Sequence, residues 1–179
     1  RPTLDESDRK AVLNVLVSGH LVQGKQVARF EGDLASFVGV KHGVAVSSGT
    51  AALHLSLLAL DVGPGDEAIL PTFVCDALLQ AVSYTGATPV LADIDPRTFN
   101  IAPSDLEKRI TKKTKAVIVP HMFGLPADMA EILSLGIPVI EDCAQAVGAK
   151  YNGVRVGSLG KMSIFSFYAT KMLATGEGG

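Results

Sequence analysis

The sequence predicts an α/β fold in which helices cover both faces of a mainly parallel sheet. From Lys41 onward, short runs rich in β-branched residues alternate with segments whose apolar residues recur at helical spacing. That alternation is typical of parallel strands joined by helices. The 179 residues are also 47% hydrophobic, which is enough to bury a sizeable core without a disulfide scaffold.

Six runs are predicted to be strands, because each is short, rich in apolar residues and bounded by turn residues or the start of a helix. They are residues 43–47, 67–71, 88–93, 116–120, 138–141 and 162–167. In an open parallel sheet, ligands bind beyond the carboxyl ends of the strands. The loops that follow these runs are therefore where functional residues are expected.

Four segments between the strands have helical spacing and are predicted to be helices: 50–60, 75–85, 104–110 and 128–135. The first shows the pattern best, because Leu53, Leu57 and Leu60 repeat at helical intervals behind a small polar residue that can cap the helix. Turns are predicted at 63–66 and 95–97 from their Gly, Pro and Asp content.

The first forty residues differ from the rest and form a predicted N-terminal helical segment, 1–40, ahead of a domain spanning 41–179. Helices are expected near 6–18 and 26–38, with a break between them at Gly19. This segment is predicted either to pack beside the α/β unit or to reach toward a partner subunit, and simple surface helices are the alternative.

Composition excludes several classes of function. The 16 basic and 18 acidic residues are spread along the chain and give a net charge of −2, so no basic stripe indicates nucleic-acid binding. The start of the chain lacks the layout of a signal peptide, and no apolar run approaches the roughly 18–20 residues of a membrane span. We therefore expect a cytoplasmic protein whose partners are small molecules or a second copy. Cys75 and Cys143 are expected to be buried free thiols rather than metal or redox sites.

The segment 47–52, SSGTAA, ends a predicted strand and opens the first helix. Its small residues let the backbone approach a ligand, the helix start offers free N–H groups, and Ser48 and Thr50 add hydroxyls, so the segment is a candidate phosphate site. It matches neither a Walker loop nor a dinucleotide fingerprint. The alternative is that Ser48 only caps the helix.

An apolar strand runs directly into acids at Glu141 and Asp142, with Gln145 three residues further on. A carboxylate at such a place is costly to bury unless a cation meets it. A protonated pyridine nitrogen is such a cation, and Gln145 could then bond the ring oxygen. The alternative is that Asp142 caps the following helix.

The run from Ser163 ends on a single lysine, Lys171, which precedes the glycine-rich segment 175–179. An amine in a pocket is a candidate to form a Schiff base, because burial favours the neutral, nucleophilic form. A surface lysine is the alternative. Phe73, at the end of the strand 67–71, could stack on a flat ring or could belong to the core.

These motifs together resemble the DegT/StrS family of pyridoxal-phosphate (PLP) sugar aminotransferases. The resemblance extends from Pro2 to Gly179 and includes the segments 23–31, 46–53, 86–90, 93–95, 121–124, 141–146 and 165–179. It implies the large domain of fold type I, a three-layer sandwich with a mainly parallel mixed sheet. It also implies that the chain is an N-terminal large-domain fragment, truncated before a C-terminal small domain.

The resemblance implies a role for each candidate residue. Lys171 is expected to form the Schiff base and to move the proton, Asp142 to pair with the pyridine nitrogen and Gln145 to contact the ring hydroxyl. Phe73 is expected to stack on the ring. The cofactor phosphate is expected to bind at the positions of Ser48, Gly49, Thr50, Ala51 and Ser166.

The implied function is transfer of an amino group from glutamate or glutamine to a keto group of a nucleotide-linked sugar, in polysaccharide or antibiotic-sugar biosynthesis. A homodimer with little activity in the isolated fragment is also implied. Two alternatives are a PLP-dependent sugar dehydratase and a non-catalytic regulatory or scaffold protein of the same fold. The presence of Lys171 argues against the dehydratase, because such relatives tend to replace that lysine. Joint retention of Lys171, Asp142 and Gln145 argues against the non-catalytic protein.

Overall fold

A computed structural model describes residues 3–179, so the first two residues of the predicted segment 1–40 lie outside the described part. The α-helices are α1 (Glu6–Ser18), α2 (Lys25–Val38), α3 (Gly49–Ala59), α4 (Ala77–Tyr84), α5 (Pro103–Arg109) and α6 (Met129–Ser134). The strands are β1 (Glu67–Pro71), β2 (Thr88–Ala92), β3 (Thr114–Pro120), β4 (Val139–Asp142), β5 (Lys150–Tyr151), β6 (Val154–Arg155) and β7 (Met162–Ile164). A short 3-10 helix covers Met122–Gly124.

Five strands form one sheet in the order β2-β1-β3-β4-β7, and all its pairings are parallel. The register places Glu141 of β4 beside Val119 of β3 and beside Ser163 of β7. The carboxyl ends of β3, β4 and β7 therefore reach the same edge of the sheet. The antiparallel component is a separate hairpin of β5 and β6.

The central strands β1, β3 and β4 are buried on both faces, which confirms the three-layer sandwich. Neighbouring residues on a strand point to opposite faces, so on β1 Ala68 and Leu70 pack with α3 and α4, whereas Ile69 packs with α5 and α6. The predicted repeat on α3 behaves as expected, because Leu53 and Leu57 are buried in the first of these cores.

The two N-terminal helices lie differently. Helix α2 is joined to the body by a third core, in which the Phe30 ring meets the Phe167 ring edge-on at 5.0 Å. Helix α1 has no buried residue, and its apolar side chains are exposed, for example Leu16 at 57% and Val17 at 79%. Of the expected arrangements, packing beside the α/β unit holds for α2 and does not hold for α1.

The predicted strand 43–47 is not a strand of the sheet. The Ala45 N–H donates to the Glu31 carboxylate at 2.8 Å, and Val46 exchanges two backbone hydrogen bonds with Gly179 at 2.9 and 3.1 Å. A groove of about 440 Å³ separates this segment from β7. One side of β7 is therefore left without a neighbouring strand among residues 3–179. None of the helices in that range is both long enough and apolar enough to cross a membrane.

Candidate active site

The carboxyl ends of β1, β3, β4 and β7 surround a cavity of about 390 Å³. Most of the residues expected to carry the chemistry line it: Ser48, Gly49, Thr50, Asp142, Gln145, Ser166 and Lys171. Two expected residues, Ala51 and Phe73, are not in its wall. Three segments that are distant in sequence, 48–50, 142–145 and 166–171, thus meet in one space at the edge of the sheet.

The start of α3 forms one side of the cavity. Ser48 does cap the helix, because its hydroxyl accepts the Ala51 N–H at 3.1 Å. This bond uses the N–H of Ala51, whereas the N–H groups of Gly49 and Thr50 find no acceptor within residues 3–179. The cap and the candidate phosphate site are therefore compatible: the capped helix still offers two backbone donors and the positive end of its dipole.

Gly49 brings the end of β7 against this helix start. A Cβ atom at Gly49 would lie 2.9 Å from Cβ and 3.2 Å from Oγ of Ser166. The absence of a side chain therefore allows the Ser166 hydroxyl to lie beside the N–H groups of α3.

Asp142 ends β4 and is 8% exposed. Its Oδ1 atom accepts the N–H of Ala144 at 2.9 Å within a turn, and Oδ2 forms no hydrogen bond within residues 3–179. The alternative that Asp142 caps a following helix is wrong, because residues 143–149 form turns rather than a helix. Burial raises the pKa of this carboxyl above its ordinary value, and the Ala144 N–H and the charge of Lys171 offset only part of the effect. A cation in the cavity would favour its ionised form.

Gln145 lies beside Asp142 on the cavity wall. Its Oε1 atom accepts the N–H of Phe123 at 3.2 Å. This bond identifies the oxygen of the side-chain amide, so the NH₂ group remains available to donate a hydrogen bond to a ligand.

Lys171 is half-buried in the cavity wall, in a loop where its N–H donates to the carbonyl of Tyr168 at 2.9 Å. The following chain folds back: Gly178 accepts the N–H of Phe167 at 2.9 Å, and Glu177 reaches the cavity. The amine is thus presented to the same space as Asp142 and the start of α3.

The Phe73 side chain lies outside the cavity and 46% exposed. Its ring packs at 5.3 Å from Phe99 and 6.5 Å from Phe123. The residues that do enter the wall from this loop are Val74 and Cys75. The expectation that Cys75 is buried is wrong, because its thiol is exposed, whereas Cys143 is buried as expected. The proposed stacking role of Phe73 stays a prediction.

His121 is a cavity residue that was not singled out as functional from the sequence. It follows β3 directly, as Asp142 ends β4, and is 1% exposed. The position of His121 could have identified it, because a polar residue at the carboxyl end of a parallel strand is a candidate functional residue.

Glu141 is directed away from the cavity into a polar cluster. The carboxylate is fully buried and accepts hydrogen bonds from His121 Nε2 at 3.1 Å and from the N–H groups of Gly157, Leu159 and Gly160 at 2.7–2.8 Å. Burial raises its pKa, but these four donors outweigh that effect and hold the pKa below the ordinary value. Cys143 Sγ lies near enough for the three side chains to enclose a metal ion. The imidazole nitrogens and carboxylate oxygens are, however, already engaged in hydrogen bonds.

The DegT/DnrJ/EryC1/StrS aminotransferase family model matches residues 2–179. The chain is 45% identical to a GDP-perosamine synthase of Caulobacter vibrioides over 99% of its own length and 49% of the relative. It is 48% identical to a UDP-N-acetyl-3-dehydro-alpha-D-glucosamine 3-aminotransferase of Acidithiobacillus ferrooxidans over 92% of its own length and 46% of the relative. The chain thus spans about half the length of these curated relatives.

Solved structures of aminotransferases are also similar to this chain. An aminotransferase of Psychrobacter cryohalolentis superposes with a TM-score of 0.96 and 39% identity over 99% of this chain and 47% of the other. A putative sugar aminotransferase of Streptococcus pneumoniae, solved in a PLP form, superposes with a TM-score of 0.96 and 32% identity, over 99% of this chain and 50% of the other. The fold class predicted from the sequence is thereby confirmed.

Proposed function

We propose that this chain, which belongs to the DegT/DnrJ/EryC1/StrS aminotransferase family, is the cofactor-binding part of an enzyme that aminates a nucleotide-linked keto sugar. The family depends on pyridoxal phosphate, and a similar sugar aminotransferase has been solved in both PLP and PMP forms. The observation that carries the proposal is the single cavity shared by a helix start, a buried acid with one open oxygen, an amide donor and a lysine.

The residues of the cavity fit this cofactor. The two unpaired N–H groups at the start of α3 and the hydroxyls of Thr50 and Ser166 are donors suited to a phosphate. The open Oδ2 atom of Asp142 is an acceptor suited to a protonated ring nitrogen, and the amide NH₂ of Gln145 is a donor suited to the ring oxygen.

Asp142 would hold a proton on the ring nitrogen of the cofactor through electrostatic attraction. Its burial makes an uncompensated charge costly, so a cation placed at Oδ2 and the ionised carboxylate stabilise each other. When bound, the cofactor supplies an aldehyde that reacts with amines and a ring that accepts electrons from the adjacent carbon. By keeping the ring nitrogen protonated, Asp142 would make the bound ring an effective electron acceptor.

Lys171 is proposed to supply the amine that bonds the cofactor and the base that moves the substrate proton. Its half-buried position in the wall keeps the amine at the cavity rather than in bulk solvent. Asp142 and Glu177 share that wall and place two carboxylates near it. No lysine or arginine other than Lys171 lines the cavity among residues 3–179, so this amine is the one available to form a Schiff base.

The sugar substrate is proposed from the relatives, whose names specify a GDP-linked and a UDP-linked amino sugar. Glutamate or glutamine is proposed as the amine donor. We further propose that a C-terminal small domain and a second copy of the chain complete the substrate site of the whole protein. The exposed apolar side chains of α1 support the second copy, because they are left without a partner on the described chain.

The proposal is tested by adding PLP to the chain, reducing the complex with borohydride and locating the label by mass spectrometry. We expect the pyridoxyl group on the peptide that contains Lys171 and no label in Lys171→Ala. Lys161 is the matched internal control, because it lies near the site in sequence but borders the other groove.

A label on Lys161 or Lys150 in place of Lys171 would overturn the assignment of the lysine. An unlabelled chain with an unchanged absorption spectrum would overturn the proposal that this chain alone carries the cofactor site. We expect weak binding and little transamination, because the open cavity leaves the bond to the cofactor wet and favours its hydrolysis.

A further inference from the structure

Glu141 stands out among the buried groups because the chemistry described above does not use it. Its side chain is 0% exposed, yet four separate hydrogen-bond donors converge on it. A buried carboxylate is costly unless its oxygens are satisfied. Each oxygen of the Glu141 carboxylate accepts two hydrogen bonds, so its negative charge is stabilised without a lysine or arginine partner.

Three of the donors are backbone N–H groups of the loop that enters β7. The N–H of Gly157 meets Oε2, and those of Leu159 and Gly160 meet Oε1. The loop lies so close to β4 that a Cβ atom at Gly160 would be 2.8 Å from the carbonyl oxygen of Val139. The hydrogen bonds to Glu141 therefore hold this loop against β4.

The loop sets the position of β7 and of the chain beyond that strand. Strand β7 begins at Met162, two residues after the last of these bonds, and its continuation carries Ser166 and Lys171 into the cavity. The position of β7 along β4 thus determines where the hydroxyl and the amine lie relative to Asp142, which belongs to β4.

The fourth donor is His121, whose ring lines the cavity. Its Nδ1 atom accepts the N–H of Ala127 at 3.1 Å and must therefore be unprotonated. The hydrogen of the neutral ring then lies on Nε2, which donates it to Glu141 Oε2 at 3.1 Å. Both nitrogens are engaged, so the orientation of the ring is fixed.

We propose that Glu141 is a positioning residue for the cofactor cavity, because it locks the His121 ring in the wall and holds the loop that places Ser166 and Lys171 opposite Asp142. This inference rests on the proposed cofactor-binding function. The inference adds Glu141 to the residues that support this function, although Glu141 does not line the cavity.

The substitution Glu141→Gln separates this role from simple space filling. The amide has the same shape but replaces one oxygen by an NH₂ donor. That donor must face either the N–H groups of Leu159 and Gly160 or those of Gly157 and His121. A switch of the His121 tautomer does not resolve the conflict, because its Nδ1–H would then face the N–H of Ala127.

The expected result is that the dissociation constant for PLP rises at least about tenfold in Glu141→Gln, which corresponds to about 1.4 kcal/mol. The titration uses folded protein, verified by circular dichroism. Asp105→Asn is the matched control, because Asp105 also accepts a backbone N–H across the chain, that of Asp93 at 2.8 Å, but lies outside the cavity. We expect its affinity for PLP to remain within twofold of the parent chain.

A second measurement uses the unsubstituted chain without cofactor, so it holds even if Glu141→Gln fails to fold or the chain fails to bind PLP. Nitrogen-15 NMR of the His121 ring is expected to show hydrogen on Nε2 and none on Nδ1. A ring with hydrogen on Nδ1 overturns the proposal, and so does a folded Glu141→Gln chain that binds PLP as the parent does. If the parent binds no PLP but the Nε2 tautomer is found, the proposed function fails while the locked ring stands.

Discussion

Replacing Asp142 by Asn is expected to have opposite effects on catalysis and on the stability of the cofactor-free chain. The carboxyl is 8% exposed, and burial raises its pKa above the ordinary value of 3.8. A carboxyl with a raised folded-state pKa costs stability as the pH rises above 3.8 and through that folded-state value. At neutral pH the neutral amide removes this cost and can keep the hydrogen bond from Ala144 through its own oxygen.

The size of both effects follows from the geometry. Removing one partner of a buried ion pair costs about 3 kcal/mol or more, and each 1.36 kcal/mol is about tenfold in rate. We therefore expect turnover in the full-length protein to fall about a hundredfold or more. Single stabilising substitutions in natural proteins commonly add about 0.5–2 kcal/mol, and we expect a gain in this range. In a domain of this size that corresponds to a rise of very roughly 1–8 °C in Tm.

Two assays separate these outcomes. Thermal unfolding of the cofactor-free chain gives the change in Tm. The half-reaction of the full-length protein with glutamate, followed by cofactor absorption, gives the change in turnover, and a PLP titration is expected to show a much smaller loss of affinity. Asp95→Asn is the control, because Asp95 pairs with Arg97 at the surface at 2.8 Å. Unchanged turnover, or a lower Tm without cofactor, would refute the reasoning about Asp142.

Three further outcomes are expected. Thr50→Val removes a hydroxyl from the proposed phosphate site and should weaken PLP binding about tenfold in a titration, whereas Thr88→Val, at the exposed start of β2, should not. The lowered pKa of Glu141 means that its contribution to stability is present above pH 4.5 and lost as the pH falls through its folded-state value, so Tm should drop on acidification below pH 4.5 and this part of the slope should vanish in Glu141→Gln. The open edge of β7 should make the chain self-associate in light scattering, and Ser163→Lys should reduce the associated fraction.

The sheet was predictable from the sequence because its central strands β1, β3 and β4 are buried on both faces and are therefore rich in apolar residues. The strand 67–71 was predicted with its observed bounds, and β3 and β4 were predicted within two residues. The segment 43–47 has the same local composition but is not a strand, since its backbone groups bond to Glu31 and Gly179. Local pattern identifies a segment that can pair. Whether it pairs depends on which distant segment lies beside it.

The same distinction applies to the candidate site. Asp142, Gln145 and Lys171 were predicted from the sequence because each lies at or beyond the end of a recognisable strand, and the cavity brings them together. Phe73 was chosen from its loop because it is aromatic, yet Val74 and Cys75 of that loop enter the wall. Outside regular structure, side chains do not alternate in a fixed way. The direction of one residue in a loop therefore could not be derived from its neighbours.

The adjacent acids Glu141 and Asp142 show how the structure assigns a role that residue type cannot. Consecutive residues of a strand point to opposite faces, so the two carboxylates enter different surroundings. Glu141 has four donors and needs no further partner, and its pKa is lowered. Asp142 has one donor and an open oxygen, and its pKa is raised. A buried carboxylate that already accepts enough hydrogen bonds needs no ligand and contributes to the stability of the fold. A buried carboxylate with few hydrogen-bond donors is stabilised when a positively charged ligand binds beside it. These different surroundings support the proposal that Asp142, rather than Glu141, meets the positively charged part of the cofactor.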